Sequence, residues 1–337
     1  MKYLSITADD YGAHPAIDKG IEDAIEAGAI DNVDCMVTIK NEKYNSVDAI
    51  RGLYHRFKDK IDRKELSLGL HISLTCGSPI CTDKDVLELL CKNGRFRQMQ
   101  KHAFSKLNDD ENQPTILKEL KAQYAEFEKV GMKPDHVSCH TGMTQSTEKI
   151  IITYFNFANK MGMPVRNTQI ISRLKTLGTS ATAKDNPYNE KTKFKKVGLN
   201  RAISILVLPP YGDLQGIPIM LNKLRNKELL EDHKERGLKF TNFFIDNFYC
   251  NGNEQALSEI IKNLTDSTFE MVVHPISDQI DTKFWPIPKG IQTNVKKKRI
   301  AEWQTLINKN CKVNELLTQH HGDNWQRFRI NSSFFES

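Results

Sequence analysis

Two adjacent carboxylates, Asp9 and Asp10, lie in the stretch Thr7-Ala8-Asp9-Asp10-Tyr11-Gly12, directly after an apolar run containing Tyr3, Leu4 and Ile6. Like charges this close resist joint ionisation, and a divalent cation or a shared proton relieves the repulsion. The alternative is a solvated pair in a βα turn, with Asp10 or a neighbour capping the next helix. Three histidines occupy comparable places further on: His71 near the end of LSLGLHISL, His140 at the end of DHVSCH, and His274 directly after FEMVV. Taken singly, each is ordinarily a hydrogen-bonded structural residue. Their shared position at predicted strand ends is what points to chemistry. A carboxylate with two imidazoles, leaving positions open, is a workable ligand set for a catalytic divalent metal. A second carboxylate beside it can act as base, and a further histidine as acid. His14 and His136 flank these stretches without a clear role. His136 shares a strand face with His140 but lies deeper, which points to a structural part.

The elements that must position these residues follow a strand–helix rhythm. Pro15 opens a helix in which Ile17, Ile21, Ala24, Ile25 and Ala27 recur at helical spacing until Gly28. Further strands are predicted over 33–39, 66–74, 135–140, 164–166, 240–245 and 269–273, and helices over 116–130, 150–162 and 255–264. A charged helix carries Ala49, Ile50, Leu53 and Tyr54, and a closing one carries Ile300, Trp303, Leu306 and Ile307; 92–114 reads as short helices and a loop. From about 170 to 236 the rhythm breaks into a long insertion or lid, with one short strand over 203–211 and a helix over 223–235. Strand and helix in this alternation signal parallel βαβ units. The 337 residues show no internal repeat or linker, so the expectation is one α/β domain over 1–337. A closed or nearly closed (β/α) barrel of about seven strands is favoured over an open sheet, and in such a barrel function collects at the C-terminal strand ends.

Composition narrows the partners. An apolar content of 39% suffices for a sizeable core, and a net charge of +6 is modest. The basic groups at Lys191, Lys193, Lys195 and Lys196 and at Lys296, Lys297, Lys298 and Arg299 lack interleaved aromatics beyond Phe194, so no nucleic-acid partner is expected. Seven widely spread cysteines without a CxxC pair suggest reduced thiols rather than a disulfide framework or zinc ribbon. No signal-peptide pattern and no bilayer-length apolar run is present, so the expectation is a cytoplasmic protein without a membrane partner.

At these residues the chain resembles the YdjC-like carbohydrate deacetylases, whose best-known members remove acetyl groups from chitooligosaccharides. The resembling segments are ITADDYG (6–12), GLHISLTCGSP (69–79), KPDHVSCH (133–140), MPVR (163–166) and EMVVHP (270–275), in the family's order. The resemblance implies a (β/α) barrel related to polysaccharide deacetylases, with one divalent metal, magnesium or zinc, held by Asp10, His71 and His140. It implies Asp9 as general base, His274 as general acid and Arg166 as a charge or substrate contact. One departure stands out. The family's fourth strand usually reads D-S-H-x-H-x-H, whereas here Ser138 replaces the Asp and only His140 of the histidine run remains. The function implied is metal-assisted hydrolysis of an N-acetyl group on a small carbohydrate. Two alternatives stay open: another metal-dependent hydrolase, acting on a phosphoester or another amide, and a non-catalytic sugar-binding or regulatory protein. A homodimer is likewise left open.

Overall fold

The alternation of small polar and apolar residues in the first ten positions builds the strand on which the sheet is laid. In β1 (Lys2–Tyr11) the side chains of Leu4, Ile6 and Ala8 enter the hydrophobic core, while Ser5, Thr7 and Asp9 are buried on the opposite face. The protein is described by a computed structural model over residues 1–97, 106–145, 147–167, 229–230, 232–245, 248, 252–278, 289–308 and 312–336.

The other strands are β2 (Asn32–Cys35), β3 (Ser67–Ile72), β4 (Cys91–Lys92), β5 (Arg95–Phe96), β6 (Val137–Cys139), β7 (Phe243–Ile245), β8 (Thr268–Val273) and β9 (Trp325–Arg327). The main sheet runs β6-β3-β2-β1-β8-β7, and every pairing in it is parallel. β9 pairs with Lys2, Tyr3 and Leu4 of β1, and β2 takes over from Thr7 onward. The helices are α1 (Pro15–Glu26), α2 (Ser46–Arg56), α3 (Lys58–Asp62), α4 (Lys84–Leu90), α5 (Gln113–Glu128), α6 (Glu148–Lys160), α7 (Glu254–Lys262), α8 (Lys289–Ile307) and α9 (Val313–His321). Their apolar faces, such as Ile17, Ile21, Ala24 and Ile25 of α1 or Ile150, Ile151, Tyr154 and Phe155 of α6, pack on the outward side chains of the strands. His14, not an aspartate, caps α1: its Nδ1 accepts from Ala16 N at 3.2 Å.

The architecture is thus a curled parallel sheet with helices outside it, and it differs from the sequence expectation at several elements: the strand expected over 33–39 ends at Cys35, and α9 lies where no helix was expected. Residues 164–166 make only a single bridge, Val137 to Val165. The segment still spans the opening between the ends of the sheet: Val137 N donates to Pro164 O at 3.0 Å, and Val165 N to Lys239 O at 2.9 Å. Among the described residues the strands thus curl into a sheet whose opening is spanned by this segment rather than by a continuous ladder. The seventh strand of the sheet is instead β9, near the chain's end, where no strand was expected. Within 92–114 the surprise is the β4–β5 hairpin, whose Asn93 and Gly94 take φ of 53° and 75°, the twist that two-residue hairpin loops require. The expected insertion over 170–236, including the strand over 203–211, lies almost wholly outside the described residues; helical residues occur at 229–230 and 232–235.

Candidate functional site

The inner face of the curled sheet is a polar column. Asn32 Nδ2 donates to Ser5 Oγ at 2.5 Å and Thr7 Oγ1 at 3.1 Å, and its Oδ1 accepts from Ser67 Oγ at 2.8 Å. One step up, toward the C-terminal ends, Asp34 lies opposite Gly69, and one step further His71 lies opposite Ser138; Asp9 follows Ser5 and Thr7 on the same face of β1, and Glu270 of β8 lies opposite Ser5. Period-2 alternation sets this out, since Val33, Cys35, Leu68, Leu70, Val137 and Met271 face the helices.

A strict alternation would turn Asp10 away from Asp9. The β1–β2 register shifts between Ala8 and Tyr11, and Asp10 adopts φ 74°. This bulge with a left-handed residue costs about 1 kcal/mol and brings both carboxylates to His71, whose Nε2 lies 3.4 Å from Asp10 Oδ1 and 3.9 Å from Asp9 Oδ2. Gly12 follows at φ 84°, where a Cβ would stand 2.5 Å from Met36 O, so only glycine lets the chain leave the bulge here.

Asp10 is held between an imidazole and a guanidinium. His140 Nδ1 lies 2.8 Å from its Oδ1, and Arg299 Nη1 donates to its Oδ2 at 2.9 Å. Burial pushes the Asp10 carboxyl up, but His140 and Arg299 outweigh it and hold the group well below the usual carboxylate range. For His71 burial works against the proton, and the Asp9, Asp10 and Asp34 carboxylates raise its pKa above the ordinary value. Asp10, His71 and His140 each offer one donor atom, and these atoms lie within 4.8 Å of one another. One oxygen and two imidazole nitrogens at that spacing fit a zinc-like divalent ion. A second group at such spacing, Asp9, Asp34 and His71, already has a cation: Arg166 Nη2 is 2.7 Å from both Asp9 Oδ1 and Asp34 Oδ2.

Arg166 is buried and directs its nitrogens at carboxylates. Nη1 and Nη2 grip Asp9 in a fork at 2.6 and 2.7 Å, and Nε donates to Glu270 Oε1 at 2.9 Å. Burial drives the Asp9 pKa up to about 6, against the pull of Arg166 and His71. His274 Nε2 stands 3.7 Å from Asp9 Oδ2, and its backbone N–H donates to Glu302 Oε2 at 2.6 Å. Burial, then the neighbouring Arg299, lowers the His274 pKa well below the ordinary histidine value. The sequence reading thus named six residues that the fold gathers at one end of the sheet: Asp9, Asp10, His71, His140, Arg166 and His274. His136 is buried lower down, its Nε2 2.7 Å from Asp34 Oδ1. Sequence reasoning missed Asp34, Glu270, Arg299 and Glu302. Only Asp34 left a usable signal, the alternation Asn32-Val33-Asp34-Cys35 on a buried strand.

The profile of a family described as YdjC-like protein matches residues 3–314. The chain belongs to the YdjC-like family. Among its curated relatives, a protein of Brevibacillus brevis named carbohydrate deacetylase is 29% identical over 163 residues, 48% of this chain and 58% of that protein. One of Thermoanaerobacter pseudethanolicus with the same name is 26% identical over 172 residues, 50% of this chain and 62% of that one. These matches span less than two thirds of those relatives. A carbohydrate deacetylase of Clostridium beijerinckii is 23% identical over 259 residues, 71% of this chain and 98% of its own length. A crystal structure from Enterococcus faecalis V583, of a protein named as a candidate for cellobiose-phosphate cleavage, superposes with a TM-score of 0.62 at 20% identity, covering 99% of this chain and 98% of that one. That likeness speaks to the fold, a curled parallel α/β sheet. Among the described residues no helix is long and apolar enough to cross a membrane.

Proposed function

We propose that this YdjC-like chain is a metal-dependent carbohydrate N-deacetylase, a hydrolase acting on a carbon–nitrogen bond, with a chitooligosaccharide-like substrate and a barrel of about seven strands as its scaffold. The observation that carries the reading is the convergence of Asp10, His71 and His140 within 4.8 Å, with Asp9 and His274 on the same rim. Asp10, His71 and His140 would hold magnesium or zinc, with the two imidazoles favouring zinc. A divalent cation there supplies Lewis-acid polarisation of the acetyl carbonyl and lowers the pKa of water. The protein's own groups then manage the protons. Arg166 orients Asp9, which takes a proton from the attacking water. His274, 3.7 Å from Asp9, passes that proton to the departing amine, so its lowered affinity for a proton at rest suits a group that receives before it gives. The names of the deacetylase relatives support the substrate class.

Acetate release from N-acetylglucosamine oligomers, after chelation and metal add-back, tests the reading. His274→Ala is expected to lose at least about 100-fold in kcat/KM, within the usual range for an acid–base group, and Asp10→Asn a comparable factor through a weakened metal site. Near wild-type acetate release by both variants would overturn the assignment.

A further inference from the structure

The buried groups beneath the candidate metal ligands form a chain of hydrogen bonds that the proposed reaction has not yet used. Strand register sets it up. Ser138 of β6 lies opposite His71 of β3, and Asp34 of β2 lies opposite Gly69, two residues below His71 on the same face. Ser138 Oγ donates its one proton to Asp34 Oδ2. Asp34 is fully buried and also meets His136 Nε2 and Arg166 Nη2, both at 2.7 Å, so it is ringed by donors and acts as an acceptor. With its proton committed, Ser138 Oγ can only accept from His71 Nδ1, 2.7 Å away. The proton of neutral His71 is thereby fixed on Nδ1. In that neutral form Nε2, 3.4 Å from Asp10 Oδ1, keeps its lone pair and faces the place where Asp10 and His140 converge.

Gly69 is part of the arrangement. A Cβ there would lie 2.2 Å from His136 Nε2, so the bare backbone lets the His136 ring cross β3 to brace Asp34. A carboxylate that reaches a ligating imidazole through a hydroxyl still selects the tautomer, because the hydroxyl's direction is set by its acceptor.

We infer that Ser138 and Asp34 are positioning residues, which relay a buried carboxylate to His71 Nδ1 and so present Nε2 unprotonated to a divalent cation. The inference rests on the metal site proposed above, and its test separates the two. Zinc affinity is measured by competition with a chromophoric chelator for the wild type, Ser138→Ala and the hydroxyl-retaining Ser138→Thr. Wild type is expected to bind one zinc, Ser138→Ala about tenfold or more weakly, and Ser138→Thr to recover most of the difference. Long-range proton–nitrogen spectra of the metal-free wild type, with labelled histidine and at a pH where His71 is neutral, are expected to place the His71 proton on Nδ1. No zinc binding by wild type would sink the metal site itself. Zinc binding by wild type with equal affinity in Ser138→Ala, or a His71 proton on Nε2, would overturn the relay alone. The spectra decide the matter even if Ser138→Ala fails to fold.

Discussion

Asp18 shows how a single buried carboxylate can write a pH dependence into the fold. Its Oδ1 accepts from Gly12 N at 2.8 Å and its Oδ2 from the Tyr44 hydroxyl, which ties α1 to the turn after the Asp9–Asp10 bulge. Burial exceeds what these bonds return, and the pKa is pushed up to about 7 from 3.8. The native state therefore keeps a proton that the unfolded chain releases above about pH 4. Stability from this group is full below that value, declines as pH rises, and is lost by about pH 7. Asp18→Asn, similar in shape to the neutral acid, is expected to flatten that slope and raise the melting temperature at pH 8 relative to wild type, while changing little at pH 4. Melting curves across pH 4–8 check the sign. At the site, residue identity was legible where chemistry is unusual, as in an Asp pair or a histidine after an apolar run. Arg299 and Glu302 were not, because charged residues on a long helix are ordinarily solvated, and only the packing of α8 against the strand ends brings them to Asp10 and His274.

Among the elements, β3 carries the densest constraints. Gly69 sits between Asp34 and His136, which bond across it, so Gly69→Ala must displace a ring pinned on its far side by a carboxylate. The expected loss is about 1–3 kcal/mol in urea unfolding. Gly52 of α2 is the control, since a Cβ there meets nothing within 4 Å. Gly52→Ala is expected to stabilise by about 0.5–1 kcal/mol through helix propensity. The same element explains why strands were easier to place than to bound. Apolar residues on the helix-facing side marked β1, β3 and β8 clearly. β9, whose three residues Trp325, Gln326 and Arg327 offer no alternation, exists because the free edge at the start of β1 needs a partner. Arg327 then locks it there, with Nε donating to Asp31 Oδ2 and Nη2 to Ala29 O. No local pattern in the sequence announces a strand whose cause lies 300 residues away.

At the scale of the whole molecule, the curled sheet concentrates Asp9, Asp10, Asp34 and Glu270 at one end of its inner face, answered by Arg166, Arg299, His71, His136 and His140. Burying so many charges is costly unless each is paired, and removal of one partner leaves the rest uncompensated at a cost of about 3–5 kcal/mol. Arg166→Met strands three carboxylates at once and is therefore expected to lower stability by at least that much. A cation bound by Asp10, His71 and His140 acts in the opposite sense. It binds the folded chain, in which strands β1 and β3 and the end of β6 bring the three donors together, and not the unfolded one, in which they are far apart in sequence. Zinc at about 100 times its dissociation constant should thus add about 2.7 kcal/mol. At about 2 cal/mol/K of unfolding entropy per residue, a chain of this length should melt about 4 °C higher. Asp10→Asn should melt at one temperature with or without zinc, because the carboxylate charge that neutralises the ion has gone. A zinc-induced shift of equal size in both proteins would mean that the stabilising ion sits elsewhere.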